Sequence, residues 1–367
     1  MKYLIVGAGF SGAVIAEQLS KNIENKLLIV DERDHIGGNC YSKRDVETDI
    51  IEHVYGPHIF HTSNKCVWDY VSTFCKMMPF VNRVKSLYKG VLYPLPINLR
   101  TINQFFNKNF TPEEAEGFIQ ALGDKSIHNP ANFEQQALKF IGKELYEAFF
   151  YGYTKKQWGC EPRELPSSVL KRLPVRFTSD DNYYSDVYQG IPENGYTEIF
   201  EKMLSSSNIE LKLNTKFDNS WDMKHFDHIF YSGPIDAFFN YEYGRLSYRT
   251  VFFEKNVGEG DFQGNAVINY ADENVPFTRI HEHKHFTPWQ QHEKTIYFKE
   301  FSKETESGDI PYYPKRLEND LRKLELYKMA ANQLTNITFV GRLGTYRYLD
   351  MHQIIEEALN IAAKHIN

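Results

Sequence analysis

Arginines set among aromatic and hydroxyl side chains give this chain its first chemical signature. Arg172 lies between Phe150-Tyr-Gly-Tyr153-Thr154-Lys-Lys-Gln-Trp158 and Asp181-Asn-Tyr183-Tyr184, while Arg279 lies in Phe277-Thr-Arg279-Ile-His281-Glu-His283-Lys-His285. A guanidinium fork binds phosphate oxygens in pairs and flat rings stack a nucleobase, so these segments suit a nucleotide carrying a diphosphate. A helix end rich in Tyr and Trp is equally consistent with interfacial packing. On a strand, residues 279, 281, 283 and 285 share one face. Alternating histidines of that kind can ligate zinc, but no thiolate or carboxylate cluster joins them, and no metal is expected. Arg279 is the group expected to act there, as a second phosphate-binding cation.

The opening residues carry a different chemistry. An apolar strand (Tyr3 to Val6) runs into Gly7-x-Gly9-x-x-Gly12, a helical pattern follows, and a second apolar strand (Lys26 to Val30) ends in Asp31-Glu32. This is the order of a dinucleotide-binding βαβ unit. Gly7 allows the tight turn, Gly9 the approach of a pyrophosphate and Gly12 the close packing of helix on strand; the helix N-terminus faces phosphate and the acid takes a ribose hydroxyl. A second Gly-bearing turn, Asp34-His-Ile-Gly-Gly38-Asn39, suits a cofactor with extended backbone contacts, as FAD often has. Near the other end, Ile337-Thr-Phe-Val-Gly341-Arg342 through Asp350-Met351-His352 reads as a strand, a Gly turn and a helix start. In flavoproteins such a helix N-terminus faces the flavin, where its partial positive charge favours an electron-rich reduced ring.

Other elements must position these groups. The Pro-rich Leu92-Tyr-Pro-Leu-Pro-Ile97 marks a boundary, and the following stretch to about residue 168 reads as mainly helical, with caps at Thr111 and Asn132. Strands are predicted at 209–217, 226–232, 247–253, 266–270, 277–283 and 295–301, the later ones antiparallel. A helix is predicted over 317–334 and a closing helix over 351–366. The expected fold class is α/β, a Rossmann-like FAD-binding domain with a helical insertion and an antiparallel β-sheet domain. The expected division is 1–82, 191–240 and 317–367 for the FAD-binding domain, 83–173 for a helical domain with a mobile substrate loop, and 174–190 with 241–316 for the sheet domain.

Composition bounds the rest. The 367 residues suffice for two or three domains, and a net charge of −6 with no basic run gives no footprint for nucleic acid. No apolar stretch approaches the roughly 20 residues of a membrane span. The chain opens on a strand, which leaves no room for a signal peptide, and the 4 cysteines form no CxxC pair, so a cytoplasmic protein with reduced thiols is expected.

Val6-Gly-Ala-Gly-Phe-Ser-Gly12, Gly56-Pro-His58-Ile-Phe-His61-Thr, Tyr153-Thr-Lys-Lys-Gln-Trp158, Leu170-Lys-Arg172-Leu-Pro-Val-Arg-Phe, the strand around Arg279, Ile310-Pro-Tyr-Tyr313-Pro and Gly341-Arg342 through Tyr348-Leu-Asp350-Met-His follow one another along the chain. In that combination the chain resembles the UDP-galactopyranose mutases of bacterial type. The resemblance implies a flavoenzyme with non-covalent FAD, active when reduced, that interconverts UDP-galactopyranose and UDP-galactofuranose with no net redox change. Flavin N5 attacks the anomeric carbon, UDP leaves, a flavin–sugar iminium forms, the ring recloses and UDP returns. It also implies an electron donor such as NAD(P)H, a homodimer, and a role in supplying galactofuranose to cell-surface polysaccharide, as in lipopolysaccharide biosynthesis.

By the same resemblance Arg172 and Arg279 are catalytic, with His58 near the flavin and Asp350 near the sugar. Gly7, Gly9, Phe10, Ser11, Gly12, Asp31, Glu32, Gly38, Asn39, His58, Ile59, Phe217, Gly341, Arg342, Leu349, Asp350 and Met351 hold the cofactor. Asn82, Phe149, Tyr153, Thr154, Trp158, Arg172, Tyr183, Asn269, Arg279, Tyr313 and Tyr348 hold the substrate, and Trp158 rides on a mobile loop. No side-chain acid–base pair is assigned. Three alternatives remain in view. One is an FAD-dependent oxidoreductase of the amine-oxidase-like group, which would want an apolar aromatic cage. Another is an NAD-dependent sugar epimerase, suggested only by Tyr151-x-x-x-Lys155. The last is a non-catalytic nucleotide-sugar-binding module, which would not need a flavin.

Overall fold

A computed structural model describes residues 1–167, 169, 175–218 and 220–366. At its centre lies a parallel five-stranded sheet in the order Ile209–Lys212, Lys26–Val30, Lys2–Val6, His228–Tyr231, Ile337–Phe339. Parallel strands are covered on both faces, which is why Tyr3-Leu-Ile5 and Ile229-Phe230 are apolar without alternation and fully buried. The first helix (Phe10–Ser20) and the closing helix (Met351–Ala363) pack against each other on one face. The predicted strand 209–217 ends at Lys212. Beyond it, the N–H groups of Asn214 and Thr215 donate to the carbonyls of Arg33 and Asp31, so the chain stays beside the carboxyl end of the second strand.

A seven-stranded sheet stands beside this unit, in the order Tyr313–Pro314, Tyr248–Glu259, Lys294–Glu304, Arg279–Glu282, Val267–Tyr270, Val84–Tyr88, Val91–Leu95. All its pairings are antiparallel except that of Val84–Tyr88 with Val267–Tyr270. Here the structure corrects the expected helical span 83–173, because residues 84–95 form a hairpin of this sheet. Its turn, Lys89-Gly90, has φ of 49° and 78°, the two positive values that a tight hairpin requires. Pro94 is tolerated because Val91–Leu95 is the edge strand. The segment 174–190, expected in the same sheet, instead contributes Tyr188–Pro192 to a separate antiparallel sheet with Phe60–Thr62 and Met77–Pro79. The predicted strand 277–283 is also shorter. Arg279–Glu282 is extended, but His283–Phe286 turns helically, so only Arg279 and His281 share a strand face.

Helices Leu99–Phe106, Pro112–Leu122 and Phe133–Tyr146 form the predicted helical layer. The Thr111 hydroxyl accepts from Glu114 N, and Asn132 Oδ1 accepts from Gln135 N, as expected of N-caps. Helical geometry breaks at Gly142 (φ 75°), where a Cβ would lie 2.7 Å from the Leu122 carbonyl oxygen. The chain then passes through a widened turn (Glu147–Tyr151) into the short helix Gly152–Trp158. Among the described residues no helix is long and apolar enough to cross a membrane.

Candidate active site

Three glycine-bearing turns converge at the carboxyl end of the parallel sheet, the end at which open α/β sheets bind ligands. Gly7 has φ 104°, and a Cβ on Gly12 would stand 2.0 Å from the Gly7 carbonyl oxygen, so the turn and the helix that follows cannot pack otherwise. Gly38 meets this loop, where its Cβ would lie 3.2 Å from Gly9 Cα, and a Cβ on Gly341 would lie 2.4 Å from Ser11 Oγ. The first helix starts at Phe10 with no side-chain cap, which leaves its N-terminal N–H groups for an anion. Phe10 itself points inward, its ring 4.6 Å from that of Phe200, so it offers only backbone to a ligand. Asp31, expected to take a ribose hydroxyl, has its Oδ2 on Ala8 N and its Oδ1 on Arg33 N, and so fastens the loop to the second strand. Its neighbour Glu32 is the exposed acid. Asn39 Oδ1 accepts from Arg33 Nη2, and the Arg33 guanidinium lies 4.6 Å over the Tyr55 ring. Phe217 packs on Trp221, Tyr231 and Phe238, in a ring cluster at the edge of the same sheet.

His58 and Ile59 enter from the loop before Phe60–Thr62. The His58 Nδ1–H donates to the Gly56 carbonyl at 2.8 Å, which leaves Nε2 as the ring's acceptor. Burial pulls its pKa down to about 4, and the nearby Arg342 and Arg279 charges reinforce this, so the ring is neutral. Arg342 donates to the carbonyls of Tyr312 and Leu349 and stands 4.9 Å over the ring of Tyr348. Tyr348 is stacked on Tyr313 with ring centres 5.5 Å apart. Asp350 occupies the N-cap position of the closing helix, where its N–H donates to Gln353 Oε1.

Phe149, Tyr153, Thr154, Trp158, Tyr183 and Asn269 all line one cavity, together with Pro96, Phe133 and Phe150. Asn82 supports it from behind. Its carbonyl accepts from Tyr183 N at 2.8 Å, and its buried Oδ1 has no hydrogen-bond partner among the described residues. Arg279 completes the group. Burial works against its charge, but Glu300 outweighs it, with Tyr153 and Tyr313 in electrostatic reach, and the guanidinium stays ionised. Burial alone would likewise raise the Glu300 carboxyl, yet Arg279 and His281 hold it down at about 2. Arg172 lies outside the described residues.

Several site residues escape the sequence reading. Glu300 is one. Tyr184 is another: its ring stacks at 3.8 Å on His61, whose Nδ1 lies 2.6 Å from Asp186 Oδ2, and it feels the charges of Asp350 and Arg279. Behind His58, His53 Nδ1 accepts His58 N and His283 Nδ1 accepts His53 N. Of the histidines after Arg279, His281 lies 3.0 Å from Glu300 Oε2 and His283 supports His53. Asp261, Glu282 and His285 do approach one another, but Glu282 is spent on Phe262 N, Gln263 N and the Thr295 hydroxyl, and His285 on Asp261.

Comparison with known proteins agrees with this arrangement. The sequence profile for UDP-galactopyranose mutase matches residues 148–348, more than half of the chain, and that for an NAD(P)-binding Rossmann-like domain matches residues 5–74. A Klebsiella pneumoniae protein described as a probable UDP-galactopyranose mutase is 56% identical over 359 residues, covering 98% of this chain and 93% of its own. A dTDP-fucopyranose mutase of Escherichia coli is 50% identical over 372 residues, covering 100% and 98%. The crystal structure of a reduced UDP-galactopyranose mutase superposes with a TM-score of 0.75 at 15% identity over 99% of this chain and 93% of that one, a likeness of fold. Wild-type putrescine oxidase bound to putrescine shares the fold more distantly, with a TM-score of 0.59 at 11% identity over 100% of this chain and 99% of that one. On the profile match and the full-length identities, the chain belongs to the UDP-galactopyranose mutase family of isomerases.

Proposed function

We propose that this chain interconverts UDP-galactopyranose and UDP-galactofuranose on a non-covalently bound FAD that works in the reduced state. The observation that carries this reading is Arg279, held charged by the buried Glu300 carboxylate and within electrostatic reach of Tyr153 of the aromatic cavity, of Tyr313 and of His58. Those turns fit a dinucleotide, since added Cβ atoms at Gly12 and Gly341 would collapse the cradle. When bound in these turns, reduced FAD would supply a nucleophile for the anomeric carbon. The chain's own residues do the rest. Arg279 stabilises the charge that builds on the departing diphosphate, and Arg172 is assigned to its other side. The Tyr313 and Tyr348 hydroxyls hydrogen-bond phosphate oxygens, while Phe149, Tyr153, Thr154, Trp158, Tyr183, Asn82 and Asn269 hold the uridine. The N-terminus of the closing helix at Met351, with Arg342, favours an anionic ring beside it. His58, neutral, offers Nε2 as an acceptor near the flavin, and Asp350 stands near the sugar. An electron donor such as NAD(P)H, a homodimer and the cytoplasm belong to the same reading, the last supported by four unpaired cysteines.

A fucose reading has one specific support, the full-length relative at 50% identity described as a dTDP-fucopyranose mutase. The amine-oxidase-like alternative has none beyond fold, and the Arg279 guanidinium would repel an ammonium substrate. The test is an anaerobic assay of dithionite-reduced and oxidised protein with UDP-galactofuranose and dTDP-fucofuranose in parallel. Turnover of the uridine sugar by the reduced protein alone, at the higher kcat/KM, is expected. A colourless preparation holding NAD, or preference for the thymidine sugar, would overturn the assignment.

A further inference from the structure

We propose that Lys156 is a positioning residue for this reaction, fastening the helix that presents Tyr153, Thr154 and Trp158 to the hairpin that presents Asn269 and Arg279. The inference rests on the mutase reading for its function, though not for its geometry. Lys156 Nζ donates to three carbonyls, those of Tyr270 at 2.7 Å, Asp272 at 2.8 Å and Phe277 at 3.1 Å. An ammonium has three hydrogens, so the group is saturated. Its acceptors bracket the hairpin turn. Tyr270 follows Asn269, Phe277 precedes Arg279 by two residues, and Asn269 and Arg279 pair directly across the two strands.

Independent contacts show that this docking is close and oriented. At the helix start, a Cβ on Gly152 would lie 2.4 Å from the Ala271 carbonyl oxygen. At the helix end, buried Arg249 donates from Nε to the Gln157 carbonyl at 3.0 Å and from Nη2 to that of Lys156 at 3.3 Å, satisfying carbonyls that a helix leaves open. Lys155 pairs with Glu273 at 2.7 Å. The Lys156 side chain therefore reaches the sheet while Tyr153, Thr154 and Trp158 line the cavity. With the rotation of this short helix fixed, base-side and phosphate-side contacts keep one spacing, which is what a diphosphate of set length requires.

The test compares flavin-loaded wild type with Lys156→Met, which removes the donors, and Lys156→Arg, which restores charge and N–H groups. Lys156→Met is expected to raise the Kd for UDP and the KM for UDP-galactofuranose about tenfold or more while kcat stays within about threefold, with Lys156→Arg between it and wild type. Amide exchange, which needs no substrate, should rise in both 152–158 and 270–278 in Lys156→Met and recover in Lys156→Arg. Exchange rising in one segment only, or wild-type UDP affinity and KM in Lys156→Met, overturns the proposal. Should Lys156→Met fail to fold, Lys156→Gln, with two N–H donors and no charge, takes its place under the same criteria. Wild type that neither binds UDP nor turns over removes the mutase reading instead, and the exchange of the two segments then decides whether they are coupled.

Discussion

Glu300 carries Arg279: its Oε2 accepts from the arginine Nε at 2.8 Å, and the carboxylate has no solvent exposure. The cation proposed to meet the diphosphate thus has its fork aimed by a fully buried carboxylate. Removing Glu300 leaves a buried, unpaired cation, and Glu300→Ala is expected to cost about 3 kcal/mol of stability, read from chemical denaturation. Glu300→Gln, of the same shape, is expected to fold and to lose turnover while keeping its flavin. Arg279→Ala is expected to lose about 10²–10³ in kcat, as for loss of one preorganised donor to developing charge. Full activity in Arg279→Ala would remove the diphosphate role from this residue.

The cofactor cradle is tested by single methyl groups. Gly12→Ala drives a Cβ to 2.0 Å from the Gly7 carbonyl oxygen, and Gly341→Ala adds both a 2.4 Å contact with Ser11 and a φ of 72°. Each is expected to be overpacked by about 1–3 kcal/mol and to purify with little or no yellow flavin. Absorbance near the flavin bands, normalised to protein, measures it.

Arg342 ties the Tyr313–Tyr348 stack to the Leu349 carbonyl just before the closing helix. Arg342→Ala releases both rings and removes a positive charge beside the proposed flavin site. A cation over an aromatic face contributes about 0.5–2 kcal/mol, so a rise in KM of about tenfold is expected. The flavin midpoint potential should also become more negative, because the anionic reduced ring loses a neighbouring cation. Unchanged values of both would show that the tyrosines order themselves without it.

Acid should unfold this protein early, through its histidines. Burial lowers His53 to about 3 and His58 to about 4, and pushes His283 well below its ordinary 6.5, so these rings are neutral in the folded state and bind protons only on unfolding. Stability from them is complete above pH 6.5 and is lost as pH falls towards 4. Each contributes a slope of about 1.4 kcal/mol per pH unit. Glu300 acts later. Its carboxyl, held at about 2, gives stability that is present above its ordinary value near 4.5 and lost as pH falls below it. A Tm series from pH 7.5 to 4 should fall steeply below 6.5, and a flat profile down to pH 5 would contradict the buried neutral rings.

The parts legible in sequence were those whose function lies in a local pattern. Gly7-x-Gly9-x-x-Gly12 is read within one loop, and Tyr153, Thr154 and Trp158 fall on one side of one short helix. Arg279 was legible as a cation, but its partner was not. Glu300 sits in an ordinary strand, Tyr297-Phe-Lys-Glu300, and only the antiparallel register that sets it opposite Arg279 makes it part of the site. The hairpin at 84–95 was hidden because prolines spoke against a strand, and an edge position that excuses Pro94 is a property of the sheet. Asp31 was legible as an acid, but its hold on the loop was not: Ala8 N and Arg33 N donate to its two oxygens, contacts that only the fold brings together.

The parallel sheet also has a history built into its order. Its first strand lies between Lys26–Val30 and His228–Tyr231, and the outer strand Ile337–Phe339 and the helix packed on Phe10–Ser20 follow both from the ribosome. The proposed cofactor cradle begun by residue 7 stays open-sided until Gly341 meets Ser11. A growing polypeptide of this kind holds no pigment until its tail emerges, so a ribosome-bound chain stalled before residue 337 should be colourless and one released after residue 363 should be yellow.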